Sequence, residues 1–110
     1  MKKQPLEIWI EINEQNIIEW VNEGEDLSIR RIHGAEIAKA YAAEVAKGMR
    51  KLNPSAIVDV KLGTRLDRRI EVDGVADYIE EMGLLEELYQ DYDAVTDELN
   101  NWNWLPEWAA

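Results

Sequence analysis

The spacing of the apolar residues changes between two periods along the chain, and this change limits the fold more than any other feature. Residues 6–12 alternate apolar and polar side chains, which is typical of a strand buried on one face. Residues 35–52 and 75–102 instead carry apolar side chains three or four positions apart, as amphipathic helices do. Because the two periods occupy separate segments, the sequence predicts an α+β fold.

The segment after the first strand is compatible with two structures. Residues 17–21 are rich in Ile, Val and Trp, which favours a strand that forms a hairpin with the first across a turn at residues 13–16. A helix over the same residues stays open as the alternative, with Asn13 as its cap and Gly24 as its stop. Residues 27–32 favour a short third strand.

The second half of the chain is expected to add two strands and a long helix. Residues 56–62 and 69–72 show the strand period, and their closeness in sequence favours antiparallel pairing with each other. From residue 75 the helical period returns and forms an apolar seam as far as residue 102. Gly83 falls inside this helix and marks a kink or a joint between two helices.

These segments give the expected order ββ(β)αββα. The predicted fold is a small antiparallel sheet of four or five strands with two helices packed on one face. With 110 residues, the chain is expected to form a single domain over residues 1–110. Residues 5–99 would form its globular core, and residues 100–110 a Trp-rich C-terminal tail.

The acidic residues are concentrated in the last third of the chain. Residues 70–110 contain twelve Asp and Glu and no Lys or Arg, whereas residues 1–69 are nearly neutral, so the formal charge of −11 arises in the last third. Like charges at i,i+4, such as Glu87 with Asp91, each cost about 0.2–0.5 kcal/mol in a helix. The carboxylates expected to form a partner-binding face are Glu80, Glu86, Glu87, Asp91, Asp93, Asp97 and Glu98.

Two sources of positive charge would relieve this repulsion. One is internal and consists of four cations close together in sequence, Lys61, Arg65, Arg68 and Arg69. The other is a basic surface of a partner protein. Because rows of carboxylates can imitate the spaced charges of a nucleic-acid backbone, that partner is expected to be a nucleic-acid-binding protein. Direct binding to nucleic acid or to an anionic membrane is disfavoured, since like charges would meet.

The tail carries three of the five tryptophans of the chain, Trp102, Trp104 and Trp108. In one interpretation they fold back and cap the sheet or a helix, because exposed indoles favour aggregation. In the other they anchor a partner or a second copy of the chain, since tryptophan is enriched at interface hot spots. The second interpretation predicts a structural or assembly module, including a homo-oligomer.

Catalytic and cofactor-binding motifs are absent from the sequence. The chain has no Cys and no P-loop, GxGxxG or HExxH motif, so no cofactor, metal site or enzymatic activity is expected. His33, its single histidine, is expected to be a loop residue. A small hydrolase that uses two carboxylates stays open as an alternative, because that chemistry needs no sequence motif.

The expected location is the cytoplasm. No stretch reaches the roughly 18 apolar residues of a membrane span. The lack of Cys fits a reducing compartment.

In composition the chain resembles phage-encoded inhibitors that mimic nucleic acid, including some anti-CRISPR proteins. The shared characters are small size, acidity and the absence of catalytic motifs. The resemblance implies a non-enzymatic inhibitor that occupies a nucleic-acid-binding groove of another protein. It covers no motif, and it therefore assigns no site residues.

Overall fold

Three strands and three α-helices form within residues 5–22, 34–65, 68–101 and 103–105, which are the residues that the computed structural model describes. In chain order the elements are β1 (Glu7–Asn13), α1 (Glu14–Asn22), α2 (Gly34–Leu52), β2 (Ile57–Gly63), β3 (Arg69–Asp73) and α3 (Tyr78–Glu98), followed by a 3-10 turn (Leu99–Asn101). The broad α+β class predicted from the sequence is confirmed. Within the described residues the sheet has three strands and not the predicted four or five, the element order differs from ββ(β)αββα, and three helices instead of the predicted two pack against the sheet.

The sheet is mixed, and β1 is its central strand. Its order is β2-β1-β3, in which β1 runs parallel to β2 and antiparallel to β3, so Ile10 faces Val60 on one side and Ile70 on the other. The predicted antiparallel pairing between residues 56–62 and residues 69–72 is therefore wrong. The physical reason is burial, because Ile8, Ile10 and Ile12 of β1 are enclosed and a central strand is protected by a neighbour on each side.

Residues 17–21 belong to helix α1, and the predicted strand and hairpin are wrong. The Asn13 side chain caps the helix, since its Oδ1 accepts a hydrogen bond from the backbone N–H of Asn16 at 2.9 Å. Ile17 and Val21, one helical turn apart, are both buried. The alternative helix with Asn13 as its cap is the observed structure. Its expected stop at Gly24 and the expected strand at residues 27–32 lie outside the described residues.

The core lies between the three helices and one face of the sheet. It joins the buried side chains of β1, β2 and β3 to those of α1, α2 and α3 in one apolar cluster. The helix residues of this cluster that are fully enclosed are Val21, Ile37, Ala38, Val45, Met49 and Leu88. The opposite face of the sheet, which carries Trp9, is not covered by the described part of the chain.

Helix α3 is continuous but buried only in its second half. It begins at the Asp77 cap, whose Oδ1 accepts from the backbone N–H of Glu80 at 2.9 Å, and runs through Gly83 without a break. The predicted seam from residue 75 to residue 102 is buried from Leu88 to Leu99. The first five residues, Tyr78–Met82, extend beyond the core and expose their large apolar side chains, whereas Leu84 and Leu85 are half-buried against it.

Two glycines are expected to respond in opposite ways to alanine substitution. Gly48 lies in α2 and Gly83 lies in α3. Inside a helix, alanine is favoured over glycine by up to about 1 kcal/mol of helix propensity. A Cβ on Gly83 would meet nothing within 4 Å in the described structure, so Gly83→Ala should raise the free energy of unfolding by about that amount. A Cβ on Gly48 would lie 2.6 Å from Val95 Cγ1, where α2 meets α3. Because overpacking costs about 1–3 kcal/mol, Gly48→Ala should be destabilising.

Urea denaturation of the two variants measures whether each substitution raises or lowers the free energy of unfolding. Val95→Ala supplies the control, since it removes the methyl groups that a Cβ on Gly48 would meet. In that background Gly48→Ala should be neutral or stabilising. An equal loss of stability in both backgrounds would show that the contact with Val95 is not the cause.

Candidate functional site

Seven of the eight acidic side chains of α3 lie in two rows on its solvent side, and Glu81 lies on the side of the buried stripe. At about 100° per residue, Glu80, Glu87, Asp91 and Glu98 share one side of the helix, whereas Glu86, Asp93 and Asp97 lie roughly a third of a turn away. Six of the seven are exposed, and Asp91 is half-buried. The first row therefore borders the buried stripe that contains Leu88, the second lies nearly opposite that stripe, and neither enters the core. We call these seven residues the acidic face of α3.

One carboxylate of the acidic face has an ion-pair partner among the described residues. Arg68 approaches Asp93 with 3.3 Å between guanidinium nitrogen and carboxylate oxygen. The other six carboxylates make no ion pair within that part of the chain. Internal neutralisation of the acidic face is therefore limited to one position.

The other three cations of this part of the sequence pair with acids of the sheet and not with the acidic face. Lys61 and Arg65 both pair with Glu11 of β1, at 3.6 Å and 3.0 Å. Arg69 pairs with Glu71 of its own strand at 2.6 Å. These three cations line the uncovered face of the sheet. These three cations therefore do not neutralise the carboxylates of the acidic face.

Arg68 holds α3 against the sheet. Its guanidinium carbon lies 5.5 Å from the ring centre of Tyr89 and 5.3 Å from that of Tyr92, which are cation–π distances. The Tyr89 hydroxyl accepts a hydrogen bond from the backbone N–H of Ile70 in β3 at 3.1 Å. This arrangement fixes the orientation of the helix, and so of the acidic face.

Trp104 folds back onto the core. Its ring stacks on Trp20 with centroids 6.5 Å apart and meets Tyr41 edge-on at 5.5 Å. Its Nε1 donates a hydrogen bond to the Leu99 carbonyl at the end of α3, at 2.6 Å. This is the position that the capping interpretation of the tail describes. Trp102 and Trp108 lie outside the described residues, so their role in partner binding stays a prediction.

We call Trp20, Tyr41 and Trp104 the aromatic cluster. Within it, burial raises the pKa of the Tyr41 hydroxyl from 10.0 to about 12, because the charged phenolate would lose its hydration. Tyr41 therefore stays neutral at physiological pH. The cluster is a packing unit that joins α1, α2 and the chain after α3.

A second surface, which the sequence did not reveal as a site, lies on the uncovered face of the sheet. Trp9 is 39% exposed there, at the centre of a depression of about 420 Å³. The register places Asp59 and Glu71 beside it on the two neighbouring strands. The period-two alternation of β1 places Trp9 on the same face as Glu7 and Glu11, and this is the sequence signal from which the surface could have been found.

The described residues contain neither a metal-binding cluster nor a membrane-spanning helix. No group of three or more His, Asp or Glu side chains there is arranged to hold a metal ion. No helix in the same ranges is both long and apolar enough to cross a membrane. His33 lies outside the described residues. The two-carboxylate hydrolase stays an untested alternative.

Comparisons with profiles of known protein families, with curated protein sequences and with solved structures found no match. No relative therefore supplies a function for the chain. Its function is inferred from its own surfaces.

Proposed function

We propose that the protein is a non-enzymatic interaction protein that binds a basic surface of another protein through the acidic face of α3. The observation that supports this proposal is that six of the seven carboxylates of the acidic face make no ion pair in the described part of the chain. A surface that serves only solubility usually mixes charges of both signs. Here one helix carries a single sign along its whole solvent side.

The charge distribution of α3 leaves repulsion that a cationic partner would relieve. Glu87 with Asp91, and Asp93 with Asp97, are like-charge pairs at i,i+4 that each cost about 0.2–0.5 kcal/mol. The last turn contains Asp97 and Glu98 and no basic residue, which is unfavourable at the negative end of the helix dipole. Lysine and arginine side chains of a partner would reverse both effects. They would also accelerate association through electrostatic steering.

The dimensions of the acidic face fit mimicry of a nucleic-acid strand. Helix α3 has 21 residues and is therefore about 31 Å long at roughly 1.5 Å per residue. From Glu80 to Glu98 the seven carboxylates span about 27 Å along the helix axis, with a mean rise of about 4.5 Å from one to the next, against about 3.4 Å per phosphate along one DNA strand. The favoured partner is therefore a nucleic-acid-binding protein whose groove α3 would occupy. Such an activity is that of an inhibitor, as in phage anti-defence proteins.

The test is a charge reversal that leaves the core and Arg68 untouched. Changing Glu87, Asp91, Asp97 and Glu98 to lysine should leave the fold intact, since none of the four is enclosed in the core. The matched control reverses four acids outside α3, namely Glu7, Glu19, Glu44 and Asp59. Both variants carry the same net charge, so only the position of the change differs.

Binding is measured by pull-down from an extract of the host cells at low and high salt, with and without added DNA. The unmodified protein and the control should retain a partner that salt and DNA both displace. The α3 variant should lose it. Retention by the α3 variant, or capture that resists salt, would contradict the proposal. Circular dichroism confirms that each variant is folded.

A further inference from the structure

The first two turns of α3 expose three large apolar side chains. Tyr78, Ile79 and Met82 are 71%, 83% and 47% exposed, respectively. At about 100° per residue, they lie on adjoining parts of the helix surface and away from the buried stripe. Gly83 follows them with no side chain and no neighbour within 4 Å of its position in the described structure. We call Tyr78, Ile79 and Met82 the apolar patch of α3.

The apolar patch continues into one row of the acidic face. Glu86, Asp93 and Asp97 lie on the same side of the helix, further towards its C-terminus, at about 100° per residue. A binding partner on this side would therefore meet apolar side chains first and then a row of carboxylates. Contiguous exposed apolar side chains with a polar border are typical of protein interaction sites.

Charge complementarity distinguishes between a second copy of the chain and a different partner. The segment from residue 70 onward has no Lys or Arg, so two copies that met through this patch would bring acidic residues against acidic residues. Glu81 and Glu86 border the patch in each copy and would repel their counterparts in the other. A basic segment experiences attraction from the same carboxylates.

We infer that the apolar patch anchors a basic amphipathic segment of the partner protein, with apolar side chains on Tyr78, Ile79 and Met82 and lysine or arginine side chains on the adjoining carboxylates. This inference rests on the proposed function and adds to it a hydrophobic anchor. Long-range attraction between charges steers association, whereas buried apolar contacts hold the complex together. The patch therefore supplies selectivity among basic partners, which the acidic face alone does not.

The test uses two defined probes on the full chain. One is an 18-residue helical peptide of leucine and lysine with a single apolar stripe, and the other is an oligolysine with the same number of charges. The unmodified protein should bind the amphipathic peptide at least tenfold more tightly than oligolysine. The double variant Ile79→Ser, Met82→Ser should remove that difference and leave oligolysine binding unchanged. The control is Leu52→Ser, which removes an apolar side chain that is 51% exposed at the end of α2.

Three outcomes would overturn the inference. Equal binding of the two probes by the unmodified protein, or no effect of the double variant, would show that the patch makes no contact. Sedimentation of the unmodified protein as a dimer and of the variant as a monomer would assign the patch to a second copy. A melting temperature lowered by several degrees would show that the chain covers the patch itself.

A different result would contradict the proposed function. In that case a lysine variant that reverses two exposed carboxylates in each row, Glu87 and Glu98 in one and Glu86 and Asp97 in the other, would bind both probes as well as the unmodified protein does. If the lysine variant binds neither probe and the double serine variant still binds both as the unmodified protein does, the role of the acidic face is supported and the proposed anchor is wrong.

Discussion

Replacing Leu88 with alanine should lower the free energy of unfolding by about 3–5 kcal/mol, which is the usual cost of removing a fully enclosed leucine. Leu88 is 0% exposed and is the first residue of α3 that lies wholly inside the core. The loss combines the transfer of apolar atoms with the cavity that remains. Single domains are stable by about 5–15 kcal/mol, so the variant should be close to unfolding at moderate temperature.

Urea denaturation followed by circular dichroism measures this effect, with Leu52→Ala as the control. Leu52 has the same side chain and also lies in a helix, but it is 51% exposed, so its substitution should cost less than about 1 kcal/mol. Similar losses for the two variants would mean that α3 is not attached to the core at Leu88.

Replacing Trp104 with alanine should destabilise the protein by about 2–3 kcal/mol. A buried tryptophan costs about 3–5 kcal/mol when truncated, and Trp104 is half-buried. The change removes the stacking on Trp20, the edge contact with Tyr41 and the hydrogen bond to the Leu99 carbonyl. Trp104→Phe keeps a ring and loses the hydrogen bond, so its cost should be nearer 1 kcal/mol.

Thermal and urea denaturation of the Trp104 variants also separate the two interpretations of the tail. If Trp104 caps the core, stability falls and the binding of folded protein to a basic partner is retained. Unchanged stability with lost binding would instead identify Trp104 as an interface anchor. Trp9→Ala is the matched control, because Trp9 is exposed on the uncovered face of the sheet and makes none of the contacts of the aromatic cluster.

Local periodicity was sufficient to place most elements but not α1. Helix α2, helix α3 and all three observed strands have a clear period in sequence. In the nine residues of α1, the β-branched and aromatic side chains favoured a strand. Contacts from elsewhere in the fold outweigh that preference. Asn13 caps the helix and also donates a hydrogen bond to the Arg65 carbonyl, which is distant in sequence.

Strand pairing could not be derived from the same pattern. Alternation shows which side chains of a strand share a face, but it contains no information about the neighbouring strand. The prediction that residues 56–62 pair with residues 69–72 rested on their closeness in sequence. In the structure they lie on opposite sides of β1, because the isoleucines of that strand gain most from a central position.

The sequence predicted which side of α3 carries the candidate site, but not how far along the helix the core reaches. Helical spacing correctly separated the carboxylates of α3 from its apolar stripe. It could not show where the core ends beneath the helix, since Tyr78 and Met82 have the same spacing as Leu88 and Tyr92. The partner-binding role of the acidic face stays a prediction, because no pattern within one chain identifies the surface of another.

The central place of β1 in the sheet has a consequence for synthesis on the ribosome. Ile10 is made well before Val60 and Ile70, so every sheet hydrogen bond of β1 has to wait for later residues. At about 5–20 residues per second, the wait lasts on the order of several seconds. Throughout that interval an isoleucine-rich strand has both edges open, which is a hazard for aggregation. Glu7 and Glu11 interrupt its apolar run, so they protect the nascent chain as well as completing the polar face of the finished sheet.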